Sequence, residues 1–188
     1  GNKTITTGEG GMVVTNDAKL AEKIKILRDH GMDPNRRYWH SVLGFNYRMT
    51  NLQAAVGVAQ MEKFPEIVKR KKNIADTYKQ LLSGVSSIVL PSEQLWADHS
   101  YWLYTILINL PKIPNIRDLV VQALEEENIE ARPVFTPIHK QPIFKVDEVF
   151  PVAERIADAG VSLPSFATLK RADIKKICGI IEKTISSA

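Results

Sequence analysis

From Val85 to the C-terminus the sequence alternates short β-rich runs with amphipathic helical runs, and few folds accept that order. "SSIVLP" and "SYWLYTILINL" read as strands, "NIRDLVVQALEEEN" as a helix and "IEARPVF" as a strand. "VFPVAERIADAG" reads as a helix, "VSLPS" as a short extended piece and "KRADIKKICGIIEKTIS" as a closing helix. Strands and helices in alternation bury their apolar faces on a shared sheet, so the region belongs to the α/β or α+β class. Cys178 lies on the apolar stripe of the last helix and reads as core. It is the single cysteine, so an internal disulfide is excluded and a reducing compartment fits.

The first third has another texture. "KTITTGEGGMVVT" reads as two β-rich arms around the glycine turn Gly8-Glu9-Gly10-Gly11. Asn16 or Asp17 caps a helix over "AKLAEKIKILRDHG", with Leu20, Ile24 and Leu27 on one stripe and Gly31 as its stop. A polar, aromatic loop of roughly eighteen residues follows, "MDPNRRYWHSVLGFNYRM", long enough to be a working loop. Thr50 and Gln53 form a capping box, and the helix behind it sets Leu52, Ala55, Val56 and Ala59 at core spacing. Pro65 interrupts, and a second helix runs to Gly84 with Ile67, Ile74, Tyr78 and Leu81 on its buried stripe. Its "KRKK", Lys69 to Lys72, reads as a solvated face rather than a nucleic-acid patch. The domain boundary falls where these two helices meet, giving units 1–64 and 65–188.

Composition narrows the function classes. At 188 residues, with 44% hydrophobic and 24% charged residues, the chain is an ordinary globular one. A net charge of +4 is too mild and too scattered to argue for nucleic acid. The sequence shows no run of eighteen apolar residues and no signal-peptide layout, so a soluble protein is expected, with no membrane partner. The four histidines show no ligand spacing, CxxC is absent, and so are GxGxxG, P-loop and GxSxG patterns.

Three stretches carry candidate chemistry. Lys3 precedes a β-branched run and the glycine turn, where a backbone can approach a ligand closely; a lysine amine bonds a carbonyl cofactor when its surroundings favour the neutral form. In "GFNYRMTNLQAA", Asn46 and Arg48 are two apart on an extended approach to a capped helix, so an amide and a guanidinium point the same way. That pair suits a phosphate at a helix N-terminus, or else it ties down backbone carbonyls of the approach. In "EARPVFTPIHKQPIF", prolines at 133, 137 and 142 stiffen a segment presenting Arg132, Phe135 and His139. It reads either as a pocket wall or as a proline-braced connection.

Together, "GNKTITTGEGGMVVTND", "RRYWHSVLGFNYRMTNLQAA" and "EARPVFTPIHKQPIF" resemble the carboxyl-terminal half of the DegT/DnrJ/EryC1/StrS sugar aminotransferases, across essentially the whole chain. The resemblance implies an α/β fold, the C-terminal portion of a fold-type-I pyridoxal 5'-phosphate (PLP) enzyme: the end of the large domain plus the small domain. It implies that Lys3 is the Schiff-base lysine, where a related dehydratase subgroup carries histidine, and that this lysine also moves the proton of transamination. Asn46 matches an asparagine that reaches the cofactor phosphate of a neighbouring subunit, which implies a homodimer with shared active sites; Arg48 is a second anion contact. Arg132, Phe135 and His139 match the nucleotide-sugar side, and Tyr38, Trp39 and His40 resemble the loop of one branch.

That branch moves an amino group from glutamate to GDP-4-keto-6-deoxymannose, giving GDP-perosamine for O-antigen lipopolysaccharide in the cytoplasm. Rival expectations are a dTDP- or UDP-keto-sugar aminotransferase or dehydratase of the same family, and a non-catalytic dimerisation or nucleotide-sugar-binding module. The resemblance also places the carboxylate for the pyridinium nitrogen upstream of the lysine. With Gly1 in place of Met, the chain is therefore expected to be a piece that is inactive alone.

Overall fold

Asp17 starts the first helix, its Oδ1 accepting from the Lys19 and Leu20 amides at 2.8 and 3.1 Å. The structure is a computed structural model that describes residues 3–188, and it divides into two compact units, Gly1–Pro65 and Glu66–Ala188. In the first unit, α1 (Ala18–Arg28) ends where Gly31 takes φ +67° and donates its amide to Ile26 O at 2.9 Å. A Cβ on Gly31 would lie 1.9 Å from the Val42 carbonyl oxygen, and one on Gly44 only 2.0 Å from the Gly31 nitrogen. Two bare backbones therefore cross, and the returning chain pairs with the helix end. His30 N donates to Phe45 O at 2.8 Å, Phe45 N to Leu27 O at 2.7 Å and Tyr47 N to Arg28 O at 2.9 Å. The chain then enters α2 (Asn51–Glu62) through the full Thr50/Gln53 capping box.

Two expectations for this unit are corrected. Residues 3–15 are irregular and form no strand. Their hydroxyls bond locally instead: Gly8 N donates to Thr6 Oγ1 at 3.0 Å, and Thr7 Oγ1 to Glu9 O at 2.8 Å. β-branched residues favour a strand only where a neighbour packs on them, and here side-chain turns compete with pairing. In α2, Leu52, Ala55, Val56 and Ala59 are exposed, Leu52 at 82%. The half-buried positions are Gln53, Gly57 and Gln60.

The second unit opens on α3 (Phe64–Leu82), which begins before the boundary. The break between helices falls at Lys63, the C-cap of α2, and Pro65 sits inside the first turn of α3, where its missing N–H costs nothing. Four strands follow, β1 (Ile88–Val89), β2 (Tyr104–Ile108), β3 (Arg132–Pro133) and β4 (Gly160–Leu163), in the antiparallel order β1-β2-β4-β3. Helices α4 (Ile116–Glu126), α5 (Pro151–Ala159) and α6 (Arg171–Ser187) complete the unit. Register sets the core: Tyr104 opposite Leu163 and Ile106 opposite Val161 point one way with Ile108. Onto them pack Ile74, Tyr78 and Leu82 of α3, Val120 and Leu124 of α4, and Ile174, Ile177, Cys178 and Ile181 of α6. Tyr78 stacks on Tyr104 at 4.8 Å, and its hydroxyl donates to Pro164 O at 2.9 Å.

The "KRKK" run is not wholly solvated. Lys71 is 6% exposed, and its Nζ donates to Ser165 O at 2.6 Å and toward Trp102 O at 3.4 Å. Desolvation holds the amine below its ordinary value of 10.5. Lys71→Met keeps the stem and leaves the Ser165 carbonyl without this donor, so urea denaturation should register a loss of about 1–3 kcal/mol. Alkaline stability has a separate cause. Burial pushes the Cys178 thiol from 9.0 up to about 12 and raises Tyr78 and Tyr104 as well. The unfolded chain thus releases the thiol proton before the fold does. Stability present below pH 9 is then lost as pH climbs toward 12. The urea midpoint should fall between about pH 8 and 10, and less so in Cys178→Ala.

Candidate functional site

The glycine turn after Lys3 owes its place to α2. Glu9 O accepts from Gln53 Nε2 at 3.2 Å, and Thr6 N donates to Gln60 Oε1 at 3.3 Å. Between them, a Cβ on Gly57 would meet Thr7 Cγ2 at 3.0 Å. Gln53, Gly57 and Gln60 recur at the helical spacing of one face, so one stripe of α2 holds residues 6–9 at three points. The turn itself carries φ +86° at Gly8. Lys3 is exposed at the start of this held segment.

Asn46 and Arg48 lie on the approach to the same helix, in the same unit. Asn46 faces Asp29 across an isolated antiparallel bridge, and among the described residues its exposed side-chain amide takes no hydrogen bond. Arg48 is already engaged. Its Nε lies 3.2 Å from Asp29 Oδ1 and its Nη1 donates to Oδ2 at 3.4 Å. Asp29 Oδ1 is buried and meets Nε out of line, without a true hydrogen bond. Of the two, Arg48 is committed on one side to Asp29, and Asn46 keeps its whole side-chain amide unbonded among the described residues. The aromatic loop before them is ordered by its own contacts: Arg36 covers Trp39 at 4.1 Å, Arg37 covers Tyr38 at 4.8 Å, and the His40 ring nitrogen Nδ1 bonds His30 O at 2.9 Å.

The other three candidates belong to the second unit. Arg132 begins β3 and donates through Nε and Nη2 to Glu130 Oε1 at 2.8 and 2.6 Å. Phe135, just beyond the strand, is 73% exposed. His139 lies in a 3-10 turn (Ile138–Lys140); its Nε2 is 3.1 Å from Glu154 Oε1 and its ring tilts against Phe150 at 4.7 Å. Glu154 also accepts from Phe150 N at 3.1 Å and pairs with Lys140 at 2.9 Å. The Lys140 ammonium, then the Phe150 amide and His139, hold its carboxyl down at about 2.

Lys3, Asn46 and Arg48 thus share one unit, and Arg132, Phe135 and His139 share the other. Glu154, Gln53 and Gln60 escape a motif-based reading. Gln53 was visible as a capping residue, but its second bond, to Glu9, spans 44 residues and leaves no trace in local pattern. Among the described residues no cluster of His, Cys, Asp or Glu is placed to hold a metal ion, and no helix is long and apolar enough to cross a membrane.

These features meet those of known proteins. The sequence profile of the DegT/DnrJ/EryC1/StrS aminotransferase family matches residues 1–182, and the chain belongs to that family. Among individual relatives it is 40% identical to a GDP-perosamine synthase of Caulobacter vibrioides, over 98% of this chain and 50% of that protein. It is also 40% identical to the GDP-perosamine synthase of Escherichia coli O157:H7, over 99% of this chain and 50% of the relative. The solved structure of Helicobacter pylori PseC, an aminotransferase involved in the biosynthesis of pseudoaminic acid, superposes with a TM-score of 0.89 at 30% identity, covering 98% of this chain and 51% of that one. The chain spans about half the length of the curated relatives it matches, and its fold is the corresponding part of a fold-type-I transferase.

The dual role of Gln53 is testable. Gln53→Leu removes half of the capping box and the tie to Glu9, so the unit should lose about 1 kcal/mol. Amides 6–11 should exchange faster with deuterated solvent, while those of β2 and β4 stay unchanged.

Proposed function

We propose that the protein to which this chain belongs is a PLP-dependent aminotransferase acting on a nucleotide-linked keto-deoxy sugar with glutamate as amino donor. The observation that carries this reading is an exposed lysine heading a segment pinned to α2, in the same unit as an amide on the approach to that helix that takes no hydrogen bond among the described residues. PLP asks for an amine at its aldehyde and hydrogen-bond donors at its phosphate, and Lys3 and Asn46 are of those two kinds. When bound, the cofactor supplies a carbonyl and an electron sink. Lys3 would hold it through its side-chain amine and would hold and return the proton at the amino-bearing carbon of the substrate. The ties from Gln53 and Gln60 limit the drift of the segment that begins at Lys3, and such drift is costly for a group that must meet one carbon.

Asn46 serves the phosphate held by a second copy, so the working unit is a homodimer with shared sites. The exposed apolar residues of α2, Leu52, Val56, Val58 and Met61, support an assembled state for this unit. Arg48, paired with Asp29, sets the approach to α2 and adds positive charge near the phosphate. Arg132, Phe135 and His139 form the nucleotide-sugar side, where a guanidinium and a flat ring suit a diphosphate and a base. The substrate favoured is GDP-4-keto-6-deoxymannose, giving GDP-perosamine for lipopolysaccharide in the cytoplasm. The 40% identity to two GDP-perosamine synthases supports this over dTDP- or UDP-linked sugars.

Borohydride reduction of the full-length enzyme followed by peptide mass spectrometry should place the pyridoxyl group on Lys3. Lys3→Ala should lower turnover at least a thousandfold, and kcat/KM for the GDP-linked keto sugar should exceed that for dTDP- or UDP-linked ones at least tenfold. A label on another lysine overturns the role of Lys3, and equal use of all three nucleotides overturns the substrate.

A further inference from the structure

Between β3 and α5 the chain makes a long excursion with little regular structure. It leaves the sheet at Val134, whose amide donates to Gly160 O at 3.0 Å, and returns at Pro151. Its regular structure is two 3-10 turns, Ile138–Lys140 and Pro142–Phe144, and within it Val146 N donates to His139 O at 3.3 Å while the His139 ring tilts against Phe150. Phe135, Ile138, Ile143 and Phe144 all face outward, so no apolar core of its own holds the segment.

One carboxylate does. Glu154 Oε1 takes His139 Nε2 and Phe150 N, each at 3.1 Å, while Oε2 takes Lys140 Nζ at 2.9 Å. The middle of the excursion and its end are thereby tied to one point on α5. That point is itself fixed. Arg117 Nη1 of α4 donates to Ala157 O at 2.6 Å, and a Cβ on Gly160 would lie 2.4 Å from Val134 Cγ2 and 2.6 Å from Ile156 O. No side chain could separate the end of α5 from the start of the excursion. His139, only 12% exposed at its side chain and bound through Nε2, is turned inward to this node.

We propose that Glu154 is a positioning residue for the sugar-nucleotide side of the site, acting through His139, Lys140 and the Phe150 amide to fix the segment that presents Phe135. This rests on the aminotransferase reading above and deepens it: His139 works from behind the segment and touches no substrate through Nε2. Three charge-assisted bonds on one half-exposed carboxylate replace the apolar packing the segment lacks. Their low-lying acid, near 2, keeps the node charged throughout the neutral range.

The test uses the full-length holoenzyme with Glu154→Ala and Glu154→Gln. The glutamine keeps an oxygen for Phe150 N but gives up the charge toward Lys140. Glu154→Ala should raise KM for the nucleotide-linked keto sugar at least tenfold and KM for glutamate less than twofold, with the glutamine variant in between. Amides 138–150 should exchange faster in the alanine variant, without a matching change in β2. A parallel rise in both KM values, or an unchanged sugar KM, overturns the positioning role. If the wild type turns over no nucleotide-linked keto sugar, the parent reading fails and takes this role with it; exchange at 138–150 then reports only how Glu154 holds the segment.

Discussion

The first unit depends on a place where two backbones meet with no side chain between them. Gly31 and Gly44 approach so closely that a single methyl on either would overlap main-chain atoms of the other strand. From that crossing follow the bonds of His30 to Phe45 and of Tyr47 to Arg28, and from those the register of residues 45–48. Register decides that Asn46 sits opposite Asp29 and that Arg48 can reach its carboxylate. Two residues later the capping box of Thr50 starts α2, whose polar stripe holds the loop after Lys3. The path from a pair of glycines to the proposed covalent lysine runs through close backbone contacts and side-chain hydrogen bonds, with no buried residue in α1 or α2.

The second unit solves its problem the other way. It has a dense core of isoleucine, leucine, valine and two stacked tyrosines, and two of its less exposed charges gather several bonds each. Lys71 is buried against carbonyls of two separate loops, and Glu154 gathers three donors from one segment. A charged group taken from water is tolerated only where several bonds replace hydration, and both nodes meet that condition. Each also ties chain outside the strands: residues 102 and 165, before β2 and after β4, and residues 139–150 after β3.

Legibility in the sequence followed the range of the interactions. Asp17, the Thr50/Gln53 box, the helices of the second unit and the burial of Cys178 were readable because capping and helical periodicity act within a few residues. The β-rich look of "KTITTGEGGMVVT" misled because strand preference is a preference for neighbours, and none pairs there. The apolar spacing of Leu52, Ala55, Val56 and Ala59 was real, yet it marks a face the described residues do not cover. Lys71 could not be told from Lys69 or Lys72 by composition, since its partner Ser165 lies 94 residues away. β4, read as a mere extended piece, is a central strand because its small residues, Gly160 and Ser162, admit close neighbours on the other face.

These two constructions bear on how chemistry and selection are divided. The proposed covalent lysine heads a segment tied by Gln53 and Gln60, and Asn46, the proposed phosphate group, lies on the approach to the same helix. The proposed sugar-side residues are positioned wholly by contacts among residues 117–161. The ties of Gln53 and Gln60 to residues 6–9 share no residue with those of Glu154 to residues 139–150, so a substitution that reshapes the 135–150 segment leaves those two glutamine ties in place. Sites on α2 and the glycine turn conversely act on the covalent step without altering the hold of Glu154. Substitutions that share no partner tend to act independently. That independence is the physical condition under which one transamination chemistry can be kept while the nucleotide-sugar side is altered.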